Sequence, residues 1–470
     1  MFVPLTPGHT RRRRTNAFTP INGVLSGLLQ AVADTILHPV VLLAAVAFLL
    51  NGSYYQVAGF TVITLASWTL SAVVLSTFKR LVARPYPILI GACVVRLLSV
   101  SLLAVTAFRS PHWDPGDVIR TLLVGFFLYQ VSSAIIGHVS VAFLSDALRT
   151  AKRSVIFRQR AVIGSIITVI SGAVVWSVNG SVADVRAALG VLFILAAIST
   201  AASTWFLFAI PAGKRQGRTG DSTSGEPGEI LRPLRSRPYR RFVLFRILLG
   251  LSAAADPFII VFGIRRVGLD LGEIGLALVA LAIGHLCGWV IWPQWVVRQS
   301  PRTAFQIAAL LRVFALTVSI GIPAIATSTL YTERFANPDA AIRLFLALYV
   351  LIGLSMSAHA AANQRYLMDL SATVPLHQTV LTTNAVHGIL AFAPLAAAYV
   401  IGRTSLDQML WIAAGLAFIA LLASGSLVEP RFSINRRAGV RNRQRTEQRT
   451  WQRTGRRTGQ RGPQRRLSVR

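Results

Sequence analysis

The sequence predicts an all-α membrane protein of about twelve transmembrane helices, arranged as two related bundles of about six helices each. Three observations predict this fold class. The 470 residues are 53% hydrophobic and only 14% charged, long apolar stretches recur along the chain, and its two halves resemble one another. A soluble domain is usually about a quarter charged and rarely extends one core past about 250–300 residues. The composition therefore indicates a lipid-facing surface.

Twelve stretches are long and apolar enough to cross a bilayer, which requires about 20 mostly apolar residues. Turn-forming residues separate several of them, as at Asn51-Gly52-Ser53. We place these stretches at about 24–50, 56–78, 87–108, 121–144, 161–178 and 187–210 in the first half, and at about 242–264, 274–297, 304–325, 341–363, 379–402 and 408–428 in the second.

Composition divides the chain into four parts. Residues 1–210 and 242–428 are the two predicted bundles, and residues 211–241 are a predicted cytoplasmic linker rich in Gly, Ser, Pro and Arg. Residues 429–470 form an Arg-rich tail with too few apolar residues to fold, which we expect to be disordered. The excess of Lys and Arg in loops on one side predicts that both termini lie in the cytoplasm and that the protein resides in the cytoplasmic membrane.

The net charge of +31 would suggest nucleic acid as the partner of a soluble protein. Most of the Arg residues lie in loops and tails, however, so we expect them to bind anionic lipids, at about 1 kcal/mol for each basic residue near the surface. Nucleic-acid binding is not expected. Cys93 and Cys287 lie inside apolar stretches, and no two histidines have the spacing of metal ligands. The sequence therefore predicts no disulfide framework, metal site or cofactor.

An internal repeat relates the two halves. Five features recur at separations of 216–221 residues, which indicates two parallel six-helix repeats related by an axis along the membrane normal. The recurring features are Pro39 and Pro257, Arg80-x3-Arg84 and Arg298-x3-Arg302, Arg96 and Arg312, Tyr129 and Tyr349, and His138 and His359.

Six stretches, a basic central linker and six more stretches, with short basic loops after the second and eighth, resemble the major facilitator superfamily. The resemblance covers nearly the whole chain apart from the tail. Loop 78–84 reads Phe-Lys-Arg-Leu-Val-Ala-Arg, which keeps the basic residues of the family's Gly-x3-Asp-Arg-x-Gly-Arg-Arg motif and lacks its Gly and Asp. The chain is similar to a divergent bacterial member. The resemblance implies alternating access, in which two bundles rock around one central site, driven by an ion gradient.

Charged groups inside the membrane cost about 2.5–3.5 kcal/mol on insertion scales, so each one is a functional candidate. Asp34 and His38 lie one helical turn apart in the first stretch, where they either share a proton or form a pair that only fixes packing. Asp256 precedes a proline, as His38 does, and matching helix breaks in two halves indicate a transporter's site. Asp34, His38 and Asp256 are our candidates for proton or substrate coupling. The alternative for Asp256 is to cap the broken helix or to pair with Arg246.

Other polar residues of the apolar stretches are assigned to two groups. The first group is expected to line the cavity, with a satisfied position in a packed core as the alternative: His138, His359, Asn363, Asn384 and His387. The second group is expected to be structural or gating: Arg80, Arg84, Arg96, Arg298, Arg302 and Arg312. Within it, the two arginines of the third and ninth stretches are expected to make ion pairs or bonds to carbonyls, because a lone buried guanidinium is not tolerated.

These expectations combine into a secondary active transporter, a permease that moves a small solute across the cytoplasmic membrane. Coupling to protons and export are its expected features. The alternative is a transporter-like sensor, scaffold or lipid-handling protein that moves no solute. An enzyme is not expected, because the acidic residues of the outer loops are scattered rather than clustered at one site.

Overall fold

The computed structural model describes residues 8–77, 85–109, 113–147, 150–181, 185–209, 232–326, 339–370 and 376–428. Within these ranges the chain is helical, apart from short turns, and contains no strand. The predicted tail 429–470, most of the predicted linker, and both Arg80 and Arg84 lie outside the described residues.

Fifteen α-helices make up the described chain. In order they are α1 (Gly8–Ile36), α2 (Leu42–Leu49), α3 (Tyr54–Thr77), α4 (Pro85–Arg109), α5 (Pro115–Ala147), α6 (Thr150–Ser181), α7 (Val185–Phe208), α8 (Arg237–Ala253), α9 (Asp256–Phe262), α10 (Leu271–Arg298), α11 (Pro301–Ala326), α12 (Asp339–Leu370), α13 (Leu376–Leu390), α14 (Ala393–Arg403) and α15 (Leu406–Ser424).

Helical segments occupy all twelve predicted positions. Nine of those in the described ranges are long and apolar enough to cross a membrane. Large apolar side chains such as Leu98, Ile198 and Trp205 are more than 60% exposed on the outside of the bundle, as a lipid-facing surface requires. The chain is therefore a multi-pass membrane protein. The count of twelve crossings stays a prediction.

Three of the twelve positions hold a broken helix. The first breaks between Ile36 and Leu42, and the seventh breaks between Ala253 and Asp256, as the two prolines at matching positions predict. The eleventh breaks before Ala393, ahead of a proline in the first turn of α14, and the sequence analysis did not predict this break. A break frees backbone groups and turns a helix end towards the interior of the bundle.

The start of the second half differs from the predicted boundary. A short 3-10 turn covers Arg232–Arg235 and α8 begins at Arg237, so helical structure begins ahead of the predicted bundle start at 242. A proline in the first turn of α8 favours this start, because its missing N–H would have no helical partner there.

The two halves meet along three pairs of elements. Helix α6 packs against α10, α3 packs against α13 and α14, and α2 packs against α9. Where α6 meets α10, a Cβ added at Gly275 would overlap the backbone of Trp176, so only glycine permits this approach. One continuous hydrophobic core joins the halves here, with Leu43 and Phe258 both buried within it. The end of the molecule that carries turns 51–53 and 268–270 is thus firmly packed.

Candidate functional site

A cavity of about 690 Å³ lies between the two halves. Its wall is largely apolar, with Trp68, Leu249 and Met356 among the lining side chains. Small-molecule sites in proteins typically measure about 300–1,000 Å³, so the cavity suits a single small ligand. The charged and titratable side chains that line it are Asp34, His38, Arg96, Arg246, Asp256, Arg312, Tyr349, His359 and His387.

Asp34 lies near the C-terminal end of α1, in a hydrogen-bond network with three other helices. The Tyr129 hydroxyl donates to Asp34 Oδ1 at 2.7 Å, and Gln30 Nε2 donates to the same oxygen at 2.8 Å. Arg96 donates to Gln30 Oε1 at 2.7 Å and to Thr204 Oγ1 at 3.0 Å. The amide of Gln30 therefore connects the buried guanidinium to the carboxylate.

Asp256 is the first residue of α9, at the break in the seventh helix. Arg312 of α11 donates from NH2 to Asp256 Oδ1 at 2.5 Å. The same guanidinium donates to the hydroxyl and to the carbonyl of Ser252, both at 2.9 Å. The partner of Asp256 is thus Arg312 and not Arg246, the partner that the sequence analysis weighed, because the faces of α8 and α11 that meet here bring Arg312 to the break.

The internal repeat relates these two networks. Asp34 and Asp256 are 222 residues apart, and so are the residues that precede them by one turn and bind the arginines, Gln30 and Ser252. The arginines of α4 and α11 and the tyrosines of α5 and α12 match at 216 and 220. In the structure Asp34 has the contacts that make it the counterpart of Asp256. The sequence alignment had assigned that place to His38.

The two networks differ at the tyrosine. Tyr129 donates to Asp34, whereas the buried hydroxyl of Tyr349 has no hydrogen-bond partner within the described part of the chain. Each half therefore brings one carboxylate, one guanidinium and one phenol to the site, but only the first half bonds its phenol to its carboxylate. The recurrence of tyrosine in the sequence was the signal that could have identified Tyr129 and Tyr349 as site residues.

Arg246 belongs to a third polar group, which has no counterpart in the first half. Its NH1 donates to Asn363 Oδ1 at 3.1 Å and its NH2 donates to His387 Nδ1 at 3.2 Å. The guanidinium carbon also lies 5.9 Å from the centre of the Phe242 ring. Nδ1 of His387 has to be unprotonated to accept this bond. Arg246 is consequently held by neutral groups.

The other predicted cavity residues have varied positions. His38 lines the cavity, and its Nδ1 accepts a bond from the Val41 backbone at 3.2 Å. His359 also lines it, beside the Phe305 ring at 5.5 Å. His138 does not line the cavity, because its Nδ1 turns back to the Ala134 carbonyl at 2.7 Å.

Neither predicted asparagine lines the cavity among the described residues. Asn363 lies behind Arg246 and binds it, so it orients a cavity residue instead of lining the wall. Asn384 is partly buried in α13 away from the lining set. Both positions depend on how α12 and α13 are rotated about their axes, which helical periodicity alone left undecided.

The arginines predicted as structural or gating divide into two groups. Arg96 and Arg312 are buried and bonded as expected, but they line the cavity instead of lying at the periphery of the bundle. Arg298 is exposed at the end of α10, and Arg302 is partly buried in the first turn of α11. These last two occupy a loop end, where contact with lipid headgroups stays a prediction.

A cluster at the packed end connects the halves through polar and aromatic contacts. Arg265 donates to the Tyr54 hydroxyl at 2.5 Å, and its guanidinium carbon lies 5.9 Å from the centre of the Phe48 ring. The Tyr54 and Phe258 rings meet edge to face with 6.1 Å between their centres. We call Phe48, Tyr54, Phe258 and Arg265 the end cluster. It joins two residues of the first half to two of the second.

Three proteins of known structure are similar to this chain over nearly its whole length. A mutant of the nucleoside transporter NupG gives a TM-score of 0.60 at 13% identity, covering 87% of this chain and 100% of that chain. The inward-facing bacterial homologue of the iron transporter ferroportin gives 0.59 at 14% identity, covering 88% and 98%. The D-xylose-proton symporter gives 0.59 at 13%, covering 88% and 97%. No protein-family profile and no curated protein matches the sequence.

At such low identity the comparisons establish the fold. The chain has the fold of the major facilitator superfamily transporters, with the resemblance seen in the sequence extending over both bundles. The central cavity lies between the two halves of that fold.

Proposed function

We propose that the protein is a secondary active transporter that moves a small solute through the cavity between its two halves. The observation that carries this proposal is the placement of matched carboxylate–arginine networks, one from each repeat, on the wall of a single cavity. Buried charges are costly, so polar groups are expected to pair off in dry packing where they serve only the fold. A cavity of small-molecule size with charges on its wall favours transport over a scaffold.

Alternating access is the mechanism that this arrangement supports. The halves are packed together at the end cluster, while the cavity extends past Asp34 and Asp256 towards the other end, where Leu207 and Leu249 line it. That end lies on the predicted cytoplasmic side, so the conformation is the inward-facing one in this proposal. Opening of the opposite side requires the end cluster to separate.

Proton coupling is assigned to Asp256 and Asp34. Protonation of Asp256 removes the charge that holds Arg312, and this releases the break between α8 and α9 from α11. Asp34 accepts its bonds from the neutral groups of Tyr129 and Gln30, which can rearrange around a protonated carboxyl. We propose that one of these two carboxyls takes up a proton as the cavity changes sides, and that direction is set by the gradient.

The test uses the purified full chain in proteoliposomes that contain the pH-sensitive dye pyranine. Pools of sugars, nucleosides, amino acids and organic acids are added outside, and a solute that moves with protons changes the internal pH. Met356→Trp is the matched loss variant, since Met356 lines the cavity and its side chain is 42% exposed there. The exposed Arg343→Gln is the control. Transport in both the parent and Met356→Trp would contradict use of this cavity.

A further inference from the structure

The charges on the cavity wall do not balance. Three arginines line the cavity, Arg96, Arg246 and Arg312, against two carboxylates, Asp34 and Asp256. Arg312 is paired directly with Asp256, and Arg96 is connected to Asp34 through Gln30. Arg246 is the cation left over, and with neutral histidines the wall carries one excess positive charge.

The partners of Arg246 supply no negative charge. Asn363 and His387 both accept hydrogen bonds from it as neutral groups, and within the described ranges no carboxylate lies within the 4.0 Å of an ion pair. These two bonds use two of the five N–H donors of the guanidinium. A charge removed from bulk water in this way is costly until a counter-charge meets it. The cavity is where that counter-charge can enter.

The surroundings of Arg246 indicate the rest of the ligand. A guanidinium prefers planar acceptors such as carboxylate and also binds phosphate and sulfonate oxygens in pairs. Apolar side chains from both halves line the same space, among them Leu65, Trp68, Leu281, Ile352 and Leu390. The ligand that fits has an anionic head for Arg246 and an apolar body for this wall.

We propose that the solute is an organic anion with an apolar body, and that Arg246 binds its anionic group. Asn363 and His387 are positioning residues, which hold the guanidinium facing the cavity. This inference rests on the proposed function and names the substrate class of the same site. The anionic head can belong to a water-soluble aryl acid or to an acyl chain from a lipid, and the test separates these sources.

The test is equilibrium binding by calorimetry on the purified full chain in a neutral maltoside detergent. The probes share one apolar body and differ in charge: biphenyl carboxylate, biphenyl carboxamide and biphenylmethylammonium. Removal of a charge-assisted hydrogen bond costs about 10- to 100-fold in affinity. We expect the carboxylate to bind at least tenfold tighter than the carboxamide, and the ammonium to bind weakest.

Variants locate the effect. Arg246→Gln should reduce carboxylate binding to the level of the carboxamide and leave carboxamide binding unchanged, while Arg246→Lys should keep part of the preference. Arg343→Gln, on the exposed surface, should bind as the parent does. Met356→Trp should weaken all probes, which separates cavity binding from partition into detergent. If Arg246→Gln fails to fold, the charge series on the parent with Met356→Trp still decides the question.

Each outcome has one meaning. Carboxamide or ammonium that binds as tightly as carboxylate, with loss in Met356→Trp, overturns the anion inference and leaves the transporter proposal standing. The absence of binding by every probe, together with no solute moved in proteoliposomes, overturns both. Laurate is the acyl-chain probe. Binding of laurate that depends on Arg246 while biphenyl carboxylate fails would assign the head to a lipid-derived anion, and the reverse would assign it to a water-soluble acid.

Discussion

Asp256 and Arg312 form an ion pair of 2.5 Å at the break between α8 and α9, with side chains only 14% and 7% exposed. The pair joins the seventh helix to the ninth, and Ser252 binds the same guanidinium through its hydroxyl and carbonyl. A proline-induced break is thus held in place by a buried charge pair. Loss of either partner leaves the other charge buried.

Asp256→Asn should destabilise the protein by about 3–5 kcal/mol, because it leaves Arg312 without a counter-charge. The double variant Asp256→Asn with Arg312→Gln should recover much of that loss, since both charges are then absent. Asp407→Asn is the matched control: its pair with Arg266 is 34% and 56% exposed, and its removal should cost less than about 1 kcal/mol. Thermal unfolding in detergent measures all three. A double variant as unstable as the single one would show that the charge pair is not the cause.

The two repeat-related tyrosines give a second prediction. Tyr129→Phe should cost about 1.5–3 kcal/mol, because it removes a hydrogen bond to the Asp34 carboxylate. Tyr349→Phe should be neutral or slightly stabilising, since the Tyr349 hydroxyl is buried without a hydrogen-bond partner in the described chain. The same substitution at matched positions therefore yields opposite results. Equal losses in thermal unfolding would contradict the asymmetry of the two networks.

The end cluster gives a third prediction, which concerns the balance between conformations. Arg265→Gln removes a bond from the second half to Tyr54 of the first and should favour opening at that end. Each 1.4 kcal/mol lost changes the population about tenfold. The measurement is labelling of Thr61→Cys, a cavity position, by an impermeant maleimide added to the side of the end cluster, with Cys93 and Cys287 replaced.

Arg266→Gln is the control for this experiment. Arg266 is the next residue in the chain, but its ion pair with Asp407 lies within the second half. Its removal should not change the labelling of the cavity cysteine. Equal labelling rates in the Arg265 and Arg266 variants would remove the end cluster as a connection between the halves.

A fourth prediction uses the close approach of α6 and α10. Gly275→Ala places a methyl group against the backbone of Trp176 in the other half, so it should disfavour the packed end and impair transport. Gly91→Ala adds the same group where nothing lies within 4 Å, and it should stabilise by about 0.4–1 kcal/mol through reduced freedom of the unfolded chain. Transport and thermal unfolding together distinguish the two. Unimpaired transport in Gly275→Ala would show that the contact is not needed.

Several features of the fold could be predicted from sequence, because they depend on local properties. Apolar length defines the helices, and the prolines at 39 and 257 define the breaks in the first and seventh. The recurrence of arginine and tyrosine in the two halves identified residues that lie together at the cavity. Gln30 was part of a polar stripe in the first stretch, but nothing in the sequence indicated that it would connect Arg96 to Asp34.

The sequence by itself determined an apolar chain that has to bury its backbone bonds in helices, its division into two repeats, and the buried positions that carry charge. Tertiary structure alone decided which charges meet. Arg246 bonds to residues 117 and 141 positions away, and Arg312 reaches Asp256 across 56 positions. Helical periodicity fixes which side chains share a face. The rotation of each helix, and the face it turns to the cavity, follow from packing against helices distant in the chain.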